Sequence, residues 1–280
     1  MWNFSTPIEK TKITSLAIGC FDGMHLGHLE LCKHLDEHCA LLIVCAKEEN
    51  FLTPYEFRQK IINIPLIFVD FNAIKNLSAK EFLLLLCENF LNLEKIVVGY
   101  DFKFGKNRQG KAKDITKLCG VKSIIVDEFK KDGISVHTSM IKTLLSNAKV
   151  YESEKFLGRF YNIHAKVIKG QGIGSKFLYP TINLFAKNFF MPKNGVYATK
   201  IKINHKIYPS VSFLGIRSSD EKFSLETHVL KEDFNENIPE YVELEFIQFI
   251  RENKKFDDFS LLKEQIKKDI FCAKQILGNL

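Results

Sequence analysis

The hydrophobic period of the chain changes once along its length, and that change limits it to two different kinds of packing. From residue 13 to about residue 130, short apolar runs at Ile13–Ile18, Ala40–Ala46, Leu66–Phe71, Lys95–Val98 and Val121–Val126 alternate with helical segments. Such alternation predicts a parallel sheet with helices packed on it. Two helix starts carry the spacing of a capping box, Thr53-Pro54-Tyr55-Glu56 and Ser78-Ala79-Lys80-Glu81, a hydroxyl followed three residues later by a glutamate. After about residue 158 the period becomes two, with Tyr161, Ile163, Ala165 and Val167 on one face and later Val242, Leu244, Phe246 and Ile250 on another. That pattern fits a β-barrel or a sandwich. A closing amphipathic helix, with Ser260 as its expected N-cap, aligns Leu262, Ile266, Ile270, Ala273 and Leu277 in one stripe. The boundary is expected near Ser153–Gly158, which divides the chain into domains 1–155 and 156–280.

With 46% hydrophobic residues in 280, the chain has ample material for packed cores. No apolar run approaches the ~18 residues of a membrane span. The start, Met-Trp-Asn-Phe-Ser-Thr-Pro, has no basic segment followed by an apolar one, so a cytoplasmic location is expected. The seven cysteines, Cys20, Cys32, Cys39, Cys45, Cys87, Cys119 and Cys272, are odd in number, lie largely in apolar segments and lack CxxC spacing. They read as reduced core thiols rather than disulfides or zinc ligands. A net charge of +7 suits nucleic acid and anionic small molecules equally.

The chemistry starts where the first strand breaks into Gly19-Cys20-Phe21-Asp22-Gly23-Met24-His25-Leu26-Gly27-His28. Glycines let a backbone approach polyphosphate, the helix that follows aims N–H groups at it, and two imidazoles flank one glycine pair-wise in HxGH. Nucleotidyl transfer is the reaction this suggests. A second glycine-rich turn, Val98-Gly99-Tyr100-Asp101-Phe102-Lys103-Phe104-Gly105-Lys106-Asn107-Arg108-Gln109-Gly110, also leaves the C-terminal end of a strand. Both turns would open on one edge of the sheet, where such folds bind ligands. Phenylalanines interleaved with cations there can stack on a planar ring, or can simply anchor a solvated basic loop. A third piece, Val136-His137-Thr138-Ser139-Met140-Ile141-Lys142, places hydroxyls at a helix start and a lysine in its first turn, an anion site or an ordinary cap.

In the second half, Lys169-Gly170-Gln171-Gly172-Ile173-Gly174-Ser175-Lys176 leads through Tyr179-Pro180 to Thr181-Ile182-Asn183. Backbone amides of this loop with Lys176 can cradle phosphate, and Thr181 and Asn183 offer hard oxygens suited to Mg²⁺. The same run also reads as a glycine-rich hairpin and a proline-initiated turn. Downstream, Glu226 and His228 share one face of Ser224-Leu225-Glu226-Thr227-His228-Val229, opposite Leu225, Thr227 and Val229. Spacing does not say which face points inward; turned into a site, Glu226 is placed to take a proton from an attacking alcohol.

In this order GxFDGxHxGH, VGxDFxFG and the hydroxyl-rich helix start resemble the adenylyltransferase module of the bacterial bifunctional riboflavin kinase/FAD synthetases, and GxxxG, PTxN and ETH resemble its riboflavin kinase module. The resemblance runs over roughly residues 13 to 270. It implies a Rossmann-like α/β nucleotidyltransferase domain of the HxGH type, followed by a β-barrel riboflavin kinase domain with a C-terminal helix. The implied activities convert riboflavin with ATP to FMN, and FMN with ATP to FAD plus pyrophosphate, with Mg²⁺. His25 and His28 would stabilise charge on the triphosphate, within an ATP cradle of Gly19, Phe21, Asp22, Gly23, Gly27, Ser139 and Lys142. Asp101, Phe104 and Arg251 would hold flavin. In the kinase half Gly170, Gly174 and Lys176 would hold ATP, Thr181 and Asn183 the metal, and Glu226 would activate the ribityl hydroxyl. Lys142 replaces a family arginine, and Ser175, Leu178 and Ser218-Ser219 depart from the kinase pattern. The alternative reading is therefore an FMN adenylyltransferase with an impaired kinase module, or a nucleotide- or flavin-responsive binding protein. Small-molecule substrates are the expected partners, rather than nucleic acid or a membrane, for a monomer or weak homo-oligomer.

Overall fold

A computed structural model describes residues 2–4, 9–46, 49–170, 179–217, 222–256 and 258–278. The chain forms two compact units, residues 1–138 and 139–280.

The first unit is built on strands β1 (Trp2–Phe4), β2 (Ser15–Gly19), β3 (Cys39–Cys45), β4 (Leu66–Asp70) and β5 (Lys95–Gly99). A short hairpin, β6 (Lys103–Phe104) and β7 (Gly110–Lys111), precedes β8 (Lys122–Val126), and a second one, β9 (Lys130–Lys131) and β10 (Ile134–Ser135), follows it. The main sheet has the order β1-β4-β3-β2-β5-β8. Five of its strands are parallel, as the strand–helix alternation requires, and β1 adds an antiparallel edge against β4 that the apolar pattern did not signal. The strands are near-continuous apolar runs because both faces are covered. Leu16 and Ile18 of β2 pack with Phe82, Leu83 and Leu86 on one side, while Ala17 packs with Phe21, Met24 and Leu41 on the other.

Helices α1 (Leu26–Cys32), α2 (Tyr55–Arg58), α3 (Phe71–Ile74), α4 (Ala79–Asn89) and α5 (Ile115–Cys119) join these strands. The Ser78 capping box forms as expected, with Ser78 Oγ accepting from the Glu81 N–H at 3.2 Å and Glu81 Oε2 accepting from the Ser78 N–H at 2.7 Å. The expected box at Thr53 does not form. Its helix is only four residues long and is capped by Pro54, while the Thr53 N–H is taken by a distant carboxylate.

Helix α6 (Thr138–Ser146) begins at the end of the first unit, and α7 (Val150–Leu157) is stopped by Gly158 in a left-handed conformation. The second unit then closes a barrel from β11 (Tyr161–Ile168), β12 (Ile182–Phe185), β13 (Gly195–Ile203), β14 (Lys206–Ile216), β15 (Phe223–Val229) and β16 (Tyr241–Arg251). The order is β11-β12-β15-β14-β13-β16, antiparallel throughout, and β11 pairs β16 to complete the circle. The barrel, not the sandwich, is thus the solution to the period-two pattern. Helix α8 (Phe259–Gly278) packs beside it through Ile270, Ala273, Ile276 and Leu277. Its cap is Asp258, whose carboxylate accepts from the Ser260 N–H at 2.8 Å, so the helix starts before the expected cap and Ser260 is its second residue. All seven cysteines are free: Cys20 and Cys272 are exposed and the other five half-buried, with Cys32, Cys45 and Cys119 packed against the core clusters. No helix among the described residues is long and apolar enough to cross a membrane.

Candidate active sites

The order of the parallel strands, β4-β3-β2-β5-β8, reverses direction between β2 and β5. A crevice opens at the carboxyl ends of strands flanking such a switch point. The HxGH turn leaves β2 and the Gly99 turn leaves β5, so both sequence motifs arrive there.

The HxGH turn is held under strain. Phe21 (φ 52°), Gly23 (φ 79°) and Met24 (φ 42°) all lie in the left-handed region, which only Gly23 enters without steric cost. At Gly23 a side chain is also excluded by space, since a Cβ would sit 2.7 Å from Leu52 Cδ1. Burial of Phe21 and Met24 and a polar clasp fix the shape. Asp22 is buried, and its two carboxylate oxygens accept from the N–H groups of Leu52 (3.1 Å) and Thr53 (3.0 Å). Arg58, fully buried, donates from Nε to the Thr53 carbonyl at 2.8 Å and from Nη1 to the Cys20 carbonyl. Its Nη2 is 3.7 Å from Asp22 Oδ1, and its Cζ lies 4.2 Å from the centroid of the Tyr55 ring. Thr138 Oγ1 donates to the Asp22 carbonyl at 3.1 Å.

His25 caps α1, its Nδ1 accepting from the His28 N–H at 3.3 Å. In the neutral ring that contact places the proton on Nε2. The His25 and His28 rings stack at a centroid distance of 3.6 Å and 17° between planes. Gly27 permits this: a Cβ there would lie 3.3 Å from the His25 ring and 3.2 Å from the Val136 carbonyl. His28 Nδ1 is buried and without a hydrogen-bond partner. Burial, followed by the charges of His25, Arg58 and His137, pushes the His28 pKa well below the ordinary 6.5. His28 therefore offers a neutral imidazole near neutral pH.

On the second turn, Asp101 is exposed, and its Oδ1 is 3.2 Å from where a Cβ of Gly99 would stand. Phe104 is placed differently from the stacking role expected of it. Its ring is buried against Phe82 and Phe102, seating the β6–β7 hairpin on the core. Gly105 and Gly110 serve the same seating, because a Cβ on either would clash with Ala79 at the start of α4. Ser139 and Lys142 follow Thr138 on α6. Ser139 is exposed, and Lys142 is half-buried with Nζ 5.5 Å from the centroid of the Phe190 ring.

On the barrel, β12 and β15 pair so that Asn183 lies directly opposite Glu226. Leu225, Thr227 and Val229 are buried inside, which turns Glu226 and His228 outward and settles the choice that spacing left open. Glu226 is still only 23% exposed at its side chain. Its Oε1 accepts from Ser224 Oγ at 2.9 Å and lies 3.4 Å from Arg217 Nη1. His228 Nδ1 is 2.7 Å from the Pro180 carbonyl, drawing the Pro180-Thr181 turn alongside β15. Gly170 backs Asn183 closely, for a Cβ there would stand 2.2 Å from Asn183 Nδ2. Glu226, Asn183, Gly170 and the Thr181 turn are thus gathered on one outer patch. Gly174, Lys176, Ser175, Leu178 and Ser218-Ser219 lie outside the described residues. Arg251 makes a bidentate pair with Asp269 of α8 at 2.8 and 2.7 Å, a contact that docks the helix on the barrel.

Comparison with known proteins narrows what two such sites belong to. A riboflavin kinase family model matches residues 157–277, and an FAD synthetase model matches residues 47–140. The bifunctional riboflavin kinase/FMN adenylyltransferase of Buchnera aphidicola subsp. Acyrthosiphon pisum is 31% identical over 93% of this chain and 92% of its own. The protein of the same description from Haemophilus influenzae is 30% identical, covering 95% and 94%. The chain belongs to the bifunctional riboflavin kinase/FMN adenylyltransferase family. As a member, it is an enzyme with both activities, one domain for each. A crystal structure described as a macrolide-efflux protein from Streptococcus pneumoniae shares the fold, with a TM-score of 0.80 at 24% identity over 97% of this chain and 96% of that one.

Several residues of this bifunctional enzyme escaped the sequence reading. Arg58 sits in a polar-looking helix, and nothing local marks it as fully buried. Ser224 did carry a signal, since it lies two residues before Glu226 and so shares its face of β15.

Proposed function

We propose that the turn at residues 19–28 performs adenylyl transfer and that the patch around Glu226 performs phosphoryl transfer, within functional domains 1–155 and 156–280. The observation that carries this reading is the cross-strand pairing of Asn183 with Glu226, in a chain whose other unit stacks His25 on His28 at a switch point. In the first step Glu226 takes the proton from the 5′-hydroxyl of the ribityl chain. The oxygen bonds to the γ-phosphorus of ATP, the bond to the β–γ bridging oxygen breaks, and FMN and ADP result. The Ser224 hydroxyl and Arg217 engage Oε1, which orients the carboxylate.

Thr181 and Asn183 fit a Mg²⁺ that is held mainly by nucleotide phosphates and water. Both are neutral oxygen donors, and Gly170 leaves the Asn183 amide room to approach the loop. Bound there, the ion would neutralise charge on the β- and γ-phosphates.

In the second step a phosphate oxygen of FMN attacks the α-phosphorus of a second ATP. The bond to the α–β bridging oxygen breaks, and FAD and pyrophosphate result. Such a displacement needs positioning and charge stabilisation rather than a nucleophilic side chain. His25 and the neutral His28 donate N–H groups to the triphosphate oxygens, Lys142 adds a cation, and Asp101 holds the flavin nucleotide. Phe104 supports this step indirectly as the anchor of the β6–β7 hairpin, and Arg251 supports the first step as the anchor of α8 on the barrel. A cytoplasmic location agrees with seven free thiols. Incubation with riboflavin, ATP and Mg²⁺, followed by chromatography, should show FMN and then FAD. FAD from FMN but none from riboflavin would remove the kinase assignment.

A further inference from the structure

His137 lies between two residues that are each fastened to the HxGH turn. The Val136 carbonyl packs 3.2 Å from the Cβ position of Gly27, and Thr138 Oγ1 donates to the Asp22 carbonyl at 3.1 Å. The Val136 N–H is itself tied to the Phe129 carbonyl at 3.0 Å, so the strand end carrying His137 has little freedom. The ring is oriented as well, with Nε2 3.3 Å from Glu128 Oε1. Glu128 receives the Tyr100 hydroxyl at 3.3 Å and lies 3.3 Å from Lys130 Nζ. One carboxylate therefore joins the start of α6, the hairpin after β8 and the turn after β5. Hydrogen bonds from Ser135, Lys130 and His137 hold its pKa down at about 2, so it is ionised throughout the working range.

We propose that His137 is a third substrate-contacting histidine of the adenylyl-transfer site, binding the ATP polyphosphate through its imidazole, with Glu128 as the residue that positions it. The inference rests on the adenylyltransferase reading of the HxGH turn. Because Nε2–H is committed to an ionised carboxylate, Nδ1 donates to a phosphate oxygen only in the imidazolium form. In that contact the positive charge comes from His137 while His28, its pKa lowered, stays neutral. The charged and titratable groups at the ring include Glu128, which in turn binds Lys130 and Tyr100, and His28 of the HxGH turn. The charge of His137 is close enough to bear on His28.

The side chain of His137 is 44% exposed, so its replacement is not a folding problem. His137→Ala should raise KM for ATP in FMN adenylylation by about tenfold, the scale of one charge-assisted hydrogen bond. His137→Arg should restore most of that loss. Glu128→Gln should weaken ATP binding in the wild-type background and change nothing in His137→Ala. Riboflavin phosphorylation should be unaltered in each variant. An unchanged KM for ATP in His137→Ala, with His28→Ala inactive in the same assay, would overturn the inference alone. Full adenylylation by His28→Ala would overturn the underlying reading of the turn, and the inference with it.

Discussion

His28 shows how a residue that looks like a simple ligand acquires a defined protonation state from its neighbours. Stacked on His25, half-buried with its Nδ1 enclosed, and near the charges of Arg58 and His137, it has its pKa driven well below 6.5. The unfolded chain binds that proton near 6.5 and the folded chain only at lower pH, so acid favours unfolding. The stability held by His28 is complete above about 6.5 and is lost as pH falls from there toward the depressed value. Denaturant midpoints measured across this window should fall on acidification in the wild type, and His28→Gln should flatten that slope. A parallel pH dependence in both proteins would contradict the assignment. Arg58 is the complementary case. HxGH is readable in a ten-residue window, but the guanidinium beneath it comes from thirty residues downstream, and no local period predicts its burial.

At the level of single elements, β15 decides the kinase patch. A strand has only two faces, and a one-residue slip exchanges them. Four buried hydroxyls prevent that slip: Thr199 bonds Ser210 and Ser212, and Ser212 bonds Thr227, each at 2.8 Å. They lock β13, β14 and β15 in register with Thr227 inside, which puts Glu226 outside and opposite Asn183. The loop leaving β11 depends on the same face. In Gly170→Ala the new methyl would meet the Asn183 amide at 2.2 Å, and that amide is the end of a flexible side chain. It will swing away at little cost in stability, taking its oxygen out of place. Misplacement on the scale of an ångström costs on the order of 10²-fold in rate. Gly170→Ala should therefore lose riboflavin phosphorylation by at least about tenfold, with its melting temperature and FMN adenylylation unchanged. A parallel loss of melting temperature would show a structural glycine instead.

For the whole molecule, two sites on two separately packed units predict two separable activities. Glu226→Gln should stop FMN formation while sparing FMN adenylylation, and His28→Ala should do the reverse, by about 10²-fold or more in each case. Assays of both reactions on both variants check this, and equal loss of both activities in either variant would contradict independent sites. Much of this architecture was legible beforehand. The five apolar runs fall on β2, β3, β4, β5 and β8 within a residue or two, because strands covered on both faces must be apolar along their length. The alternation from Tyr161 onward likewise matches β11 and β16, whose inner faces fill the barrel. By itself, then, the amino-acid order determined the element types, the two-part organisation and the HxGH and PTxN turns, all of which depend on neighbours within a few positions. Tertiary structure alone decided that Phe104 is a core ring, that Arg251 is spent on Asp269, that Arg58 supports the strained turn, and that Glu226 faces outward beside Asn183. Each of those outcomes depends on a partner well outside the local window or on the register between strands, and periodicity carries no information about either.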